Sequence, residues 1–208
     1  HIACTNIYVD YKMIKLFVNN GGNVNATNLD GEMPIHHACN YEITVKRLNI
    51  FVDNGADLNA VSGKGRMPIH HACANAQDSK AIEFLVTNGA KVDAADSNDK
   101  MPIHYASGNE RYGFHIAKYL TQSGAKIDVP DADGLLPIHY ACASGCDRTV
   151  KLLTREYGKE NPVDDNGQTL MHHACKNRVY GIEIVDILIN ESHSLNSVDK
   201  NNRLPIHY

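Results

Sequence analysis

Apolar residues in this chain fall into short stripes of helical spacing, separated by polar turns built on glycine, asparagine and aspartate. Residues 28–60 show the unit. Asn28-Leu29-Asp30-Gly31 is a turn, where glycine is free to take a positive φ. Pro34 stands where a helix begins, because proline lacks an N–H that the first helical turn leaves unpaired anyway. A short helix is expected through His36 to about Tyr41. A second carries Val45, Leu48, Phe51 and Val52 at i, i+3, i+6 and i+7, which is one buried stripe. Asn54-Gly55 stops it, and Ala56-Asp57-Leu58-Asn59-Ala60 leads out to the next turn. The same grammar recurs. Ile82, Leu85 and Val86 precede Asn88-Gly89; Ile116, Tyr119 and Leu120 precede Ser123-Gly124; Val150, Leu152 and Leu153 precede Tyr157-Gly158. Ile184, Ile187 and Leu188 precede Asn190-Glu191-Ser192, where the glycine is missing.

The pattern is also a repeat of words. Pro34-Ile35-His36-His37-Ala38-Cys39 returns as Pro68-Ile69-His70-His71-Ala72-Cys73, with variants at 102–107, 137–142 and 170–175. The first histidine of each copy stands at 1, 36, 70, 104, 139, 172 and 207, a spacing of 33 to 35 residues. That period marks a stack of small units, each unable to bury its own apolar face. Residues 1–208 therefore read as one array of about six units, with turns near 30, 64, 98, 133, 166 and 201. The chain opens inside one copy, His1-Ile2-Ala3-Cys4, and stops inside another, Leu204-Pro205-Ile206-His207-Tyr208. Both ends are expected to be truncated within a repeat and to expose apolar surface.

Composition changes the picture little. The formal net charge is −4, with −2 in each half, and no long basic run points to nucleic acid as the partner. No stretch approaches 18 apolar residues, so no membrane insertion is expected within this segment. Cys4, Cys39, Cys73, Cys142 and Cys175 hold one position in their repeats, and only Cys146 stands apart. Equivalent cysteines in stacked helices read as small core residues rather than disulfide partners. Reduced thiols suit an intracellular, cytoplasmic setting.

Asn54-Gly55-Ala56-Asp57-Leu58-Asn59-Ala60 and Gly22-Asn23-Val24-Asn25-Ala26, in phase with the Pro-Ile-His phrases, resemble the ankyrin repeat family over the whole chain. The resemblance implies an all-α solenoid of stacked helix-turn-helix units with β-hairpin-like finger loops. It also implies a concave face of fingers and first helices that binds other proteins, and motif histidines that tie adjacent repeats together. In some family members asparagines in the place of Asn25 and Asn59 are hydroxylated. The chain departs from the family pattern where a threonine caps the first helix. That position holds Met33, Met67, Met101, Leu136, Thr169 and Leu204. A lost Ser/Thr cap costs about 1 kcal/mol, so these apolar side chains are expected to compensate by packing finger against finger.

Twelve histidines invite a metal or catalytic reading. His37 and His71 stand to stack on neighbouring helices, but a zinc site needs three or four converging ligands, and no Asp, Glu or Cys is expected to complete one. A nucleophile with a unique base and orienting acid is absent, since Cys and His recur in every unit. There is no P-loop and no dinucleotide fingerprint. Neither enzyme activity, cofactor nor small-molecule substrate is expected.

What differs between copies is the surface that the resemblance assigns to binding. It comprises Leu29, Asp30, Glu32, Tyr41, Lys64, Arg66, Asn75, Asn98, Lys100, Asn109, Asp133, Leu135, Gln168, Asn177 and Arg203. Ser144, Asp165 and Asn201 belong to the same set. Tyr41 and Leu135 are the expected anchors, an aromatic and an aliphatic residue with no folding reason to be exposed. The function expected is a scaffold that binds a protein partner of unknown identity through the concave face. The alternative is a regulatory or substrate-recruiting arm of a larger enzyme or ion channel.

Overall fold

The computed structural model describes residues 11–40, 44–158 and 161–208. Eleven α-helices and a final 3-10 turn account for the regular structure among them. α1 is Tyr11–Asn19, α2 Pro34–Ala38, α3 Val45–Asp53, α4 Pro68–Asn75 and α5 Lys80–Thr87. α6 is Pro102–Ser107, α7 Gly113–Gln122, α8 Pro137–Ser144, α9 Asp147–Tyr157, α10 Leu170–Lys176 and α11 Gly181–Asn190. The 3-10 turn is Pro205–His207. The first helices form one row, in which α2 packs on α4, α4 on α6, α6 on α8 and α8 on α10. The second helices form another row, in which α1 packs on α3, α3 on α5, α7 on α9 and α9 on α11. No strand occurs among the described residues; one isolated bridge joins Val163 and Thr169.

Each first helix with proline at N1 follows an extended N-cap residue, with φ between −92° and −78° and ψ between 160° and 163°. The cap is half of a capping box. A methionine or leucine side chain has no oxygen to offer, but the histidine at N3 reaches back to the N-cap amide. The Met33 N–H donates to His36 Nδ1 at 3.0 Å, Met67 to His70 at 2.9 Å, Met101 to His104 at 3.0 Å and Leu136 to His139 at 3.0 Å. Even Thr169 directs its hydroxyl at the His172 ring, 2.9 Å away, rather than at a helix amide. The imidazoles thus satisfy the N-cap amide, while the N3 amide that a threonine would take turns to the N-cap carbonyl, as His36 N–H does to Met33 O at 3.0 Å. The apolar N-cap residues do contribute packing, since Met67, Met101 and Leu136 are buried in the core and Met33 lies against it.

The apolar stripes fall where their spacing puts them. Leu48, Phe51, Ile82, Leu85, Ile116, Leu120, Val150, Leu153, Ile184 and Leu188 are buried, while Val45 and Val52 are only half-buried. Two buried clusters meet at Ile127, which packs against both. Ile206 is exposed, whereas the corresponding Ile35, Ile69, Ile103 and Ile138 are buried. His1 to Cys4 and Tyr41 lie outside the described residues.

Every second helix from α3 to α11 is followed by a residue in the left-handed region. It is Gly55 at φ 72°, Gly89 at 97°, Gly124 at 89°, Gly158 at 94° and, in the last case, Ser192 at 68°. A side chain there costs about 1–2 kcal/mol that glycine avoids. Ser192→Gly is therefore expected to stabilise the protein by about 1 kcal/mol and raise the melting temperature by about 2–4 °C, read by circular dichroism; an unchanged or lower value counts against the strain. Met67→Thr is expected to lower it, because the buried thioether is lost while the His70 cap already serves the helix. A clear rise would show that the missing hydroxyl cap outweighs the packing.

Candidate partner-binding face

The motif imidazoles join the repeats. Because His36 Nδ1 accepts the Met33 N–H, the neutral ring carries its proton on Nε2. That N–H faces the Ala60 and Arg66 carbonyls of the following repeat at 3.0 and 3.1 Å. His70 reaches the Ala94 carbonyl at 2.8 Å, His139 that of Pro162 at 3.3 Å and His172 that of Arg203 at 3.0 Å. His104 alone of these five has its buried Nε2 outside good hydrogen-bond geometry, although it faces the Leu135 carbonyl. Burial keeps His36, His70, His104 and His139 neutral by lowering their pKa values below the ordinary 6.5, against the hydrogen bonds to backbone carbonyls that favour the proton.

The fingers are built on one side chain each. Asp96 Oδ1 accepts the Asn98 and Lys100 N–H groups, and Asp131, Asp164 and Asp199 repeat the arrangement. The second oxygen grips the helix that follows. Tyr105 donates to Asp96 at 2.6 Å, Tyr140 to Asp131 at 2.5 Å and Tyr208 to Asp199 at 2.7 Å, while His173 Nε2 lies 3.1 Å from Asp164. Burial opposes charge on Asp96, but the Tyr105 hydroxyl and the two backbone N–H groups outweigh it and lower its pKa. Successive fingers are laced by one backbone bond each. Gly63 N–H donates to Asp30 O, Ser97 to Lys64, Ala132 to Asn98, Asp165 to Asp133 and Lys200 to Asn166. On the exits, Asn25 and Asn59 bridge to the next repeat through both amide atoms, which gives each asparagine a structural task.

The first two fingers lack the aspartate, having Asn28 and Ser62. There Glu32 enters between two rings, with Oε2 3.1 Å from His37 Nε2 and Oε1 4.0 Å from His71 Nε2. The sequence did not reveal this acid beside His37 and His71. The His71 tautomer follows from its neighbours. Asn75 Nδ2 donates to the His71 carbonyl and also touches an Asn40 amide atom, which must then be oxygen. His71 Nδ1, 2.8 Å from that oxygen, carries the proton, and its buried Nε2 is an unpartnered acceptor. Among the described residues no three ligands converge as a metal site.

The expected surface residues separate into groups. Leu29, Asp30, Lys64, Asn75, Asn98, Asp133 and Arg203 are exposed, and Leu29 completely so. Ser144, Asp165 and Asn201 are exposed as well. Glu32, Arg66 and Lys100 are half-buried. Arg66 lies 3.4 Å from Asp96 and over the Tyr105 ring, Lys100 3.8 Å from Asp131 and over Tyr140, and Arg203 2.9 Å from Asp199 and over Tyr208. Leu135 is half-buried, so its aliphatic side chain has a folding reason after all. Gln168 is buried, bonded to Tyr208 and Lys176, contrary to the surface role expected of it. Asn109 and Asn177 belong to joints: each amide nitrogen donates to carbonyls ending the previous first helix, and each amide oxygen caps the next second helix. Tyr41 lies outside the described residues. Sequence reasoning missed the cation-over-tyrosine pairs, whose signal was an Arg or Lys four residues after the finger aspartate at Lys100 and Arg203. No helix among the described residues is long and apolar enough to cross a membrane.

Four of the described thiols are held back from the nucleophilic form. Burial pushes Cys39 up to about 12 and raises Cys73 and Cys142 further, with Cys175 raised in the same direction. A family model described as ankyrin repeats, in three copies, matches residues 1–96, 44–131, 74–165 and 138–208. No curated protein sequence gives a significant match.

Because folded-state histidine pKa values lie below 6.5, the unfolded chain takes up protons first as pH falls. Stability is intact above about pH 6.5 and is lost progressively below it, towards the folded-state values of about 3 for His71 and about 4 for His173. His71 alone is expected to remove about 2 kcal/mol by pH 5, or about 4–8 °C of melting temperature. Melting curves from pH 7.5 to 5 check this, and a His71→Phe variant should show a shallower decline. A flat profile would mean that the buried rings do not resist protonation.

Proposed function

The chain belongs to the ankyrin-repeat family, whose members are generally protein-interaction modules, and from that premise we propose a rigid scaffold that binds a protein partner through its concave face. One observation carries the reading. The residues that hold the stack together recur from repeat to repeat and are spent internally, while the exposed finger tips change in character from Leu29 and Asp30 to Lys64, Asn98 and Asp133. Folding gives no reason for a fully exposed leucine at a tip beside an aspartate. Partner choice requires side chains that differ along the array and face solvent, and these do. Exposed Leu29 takes the anchor role first expected of Leu135.

Catalysis is no part of the proposal. Ankyrin repeat domains are typically non-catalytic, and the buried thiols of this chain are held in the neutral form. Free buried cysteines suit a reducing compartment, and the cytoplasm is the proposed setting.

The experiment is affinity capture with the intact array beside a Leu29→Asp, Lys64→Glu, Asp133→Lys variant. A second variant carries Lys151→Glu on a second helix as a control. The triple change is expected to weaken capture of the partner by tenfold or more, since a few anchors carry most of an interface, while the control retains it. Equal retention by the triple variant would remove the finger tips from the binding surface.

A further inference from the structure

A pocket of about 230 Å³ opens on the face of fingers and first helices, lined by Ala74, Lys100, His104, Tyr105, Gly108 and Tyr140, with Asn109 beside them. Its origin lies in the repeat. The position four residues after the motif histidine is Asn40 in one repeat and Lys176 in another, but Ala74 and Gly108 here, so two neighbouring first helices leave room between them.

The lining is unbalanced in hydrogen-bonding character. It contains a cation and no carboxylate. The Lys100 ammonium lies 3.8 Å from Asp131 Oδ2, but that oxygen already accepts the Tyr140 hydroxyl at 2.5 Å, and Oδ1 accepts two backbone N–H groups. Asn109 Nδ2 is committed to the Ala74 and Ala76 carbonyls. His104 Nδ1 accepts the Met101 N–H, which leaves the ring proton on Nε2, buried and only poorly aligned with the Leu135 carbonyl. The pocket thus offers donors in surplus beside two aromatic rings.

Resting on the scaffold reading above, we propose that this pocket receives a glutamate side chain from an extended acidic segment of the partner. The two methylenes of the glutamate lie against Tyr105, Tyr140 and Ala74, and its carboxylate pairs with Lys100. An acidic segment fits better than an isolated carboxylate, because the neighbouring finger adds an exposed Lys64 and an Arg66 whose guanidinium lies over the Tyr105 ring of the pocket wall. Opposite charge across such a rim speeds association and rejects basic competitors.

The test is fluorescence anisotropy with a fluorescein-labelled, C-terminally amidated peptide of alternating glutamate and leucine between Gly-Ser ends. The same peptide with glutamine in place of glutamate serves as comparison. The glutamate peptide is expected to bind at least about tenfold tighter than the glutamine peptide, more so at low salt. Lys100→Glu and Ala74→Leu, which reverse the charge and fill the space, should each weaken binding about tenfold, and Lys151→Glu should leave it unchanged. Circular dichroism of each variant separates a lost site from a lost fold. Equal binding of both peptides, binding unaffected by either pocket variant in a folded protein, or no binding overturns the proposal. The broader reading fails separately: if only the pocket is wrong, Ala74→Leu still captures the partner that the finger-tip variant loses.

Discussion

One imidazole per repeat, with a hydrogen bond at each nitrogen, is the interaction on which the stack depends. At Nδ1 it accepts the amide that would otherwise start its helix uncapped, and at Nε2 it donates to a carbonyl of the next repeat. The two tasks are coupled. Accepting at Nδ1 fixes the tautomer, and the tautomer puts the only proton where the neighbouring repeat needs it. Losing the ring would leave a buried amide and a buried carbonyl unpaired, each worth about 1–3 kcal/mol. It would do so at a helix start and at a repeat joint together. An ionised ring could not serve, because Nδ1 would then carry a proton against the backbone N–H it must accept.

The finger aspartate is the second half of the same logic. Its two oxygens are separated in function, with Oδ1 shaping the turn and Oδ2 holding the tyrosine or histidine that follows the motif imidazole. That following ring stands edge-on to the imidazole of the preceding repeat, as His70 with Tyr105 and His104 with Tyr140, at 5.8 and 5.7 Å between centroids. Turn, ring and neighbouring helix therefore lock together. In the first finger Asn28 keeps the arrangement, its Oδ1 accepting the Asp30 and Glu32 N–H groups and its Nδ2 lying 3.4 Å from His37 Nε2, with Glu32 beside the same ring; in the second, Ser62 Oγ accepts the Arg66 N–H.

The period and the apolar stripes made the stacked helix pairs legible, because burial of Leu48, Phe51, Ile82 or Leu120 follows from helical spacing alone. The site was less legible, for a physical reason. Gln168, Asn109 and Asn177 are polar residues at positions next to turns and helix ends, where a polar residue can face water or satisfy a buried backbone group. Spacing does not distinguish the two, since the carbonyls that Asn177 serves belong to Cys142 and Gly145, some thirty residues earlier. Leu135 misled for the opposite reason: its neighbours along the sequence are a turn, but in the fold it is half-buried and its carbonyl faces His104 of the preceding repeat. The apolar N-cap residues were read as losses because only their own side chains were considered; the histidine three residues on serves the N-cap amide, and the N-cap carbonyl takes the N3 amide.

A repeat array separates the residues that hold it from the residues it can spend. Where every copy makes the same joint, a copy that omits one part of the joint is informative. His104 is such a copy: its Nδ1 bond is intact, its Nε2 is poorly aligned with the Leu135 carbonyl, and it lies beside the space left by Ala74 and Gly108. A stack maintained only for stability would gain by restoring that bond, as His70 and His172 retain it on either side. The surplus of donors is tolerable if something else supplies the acceptor, and the ammonium of Lys100 sets the sign of what that must be.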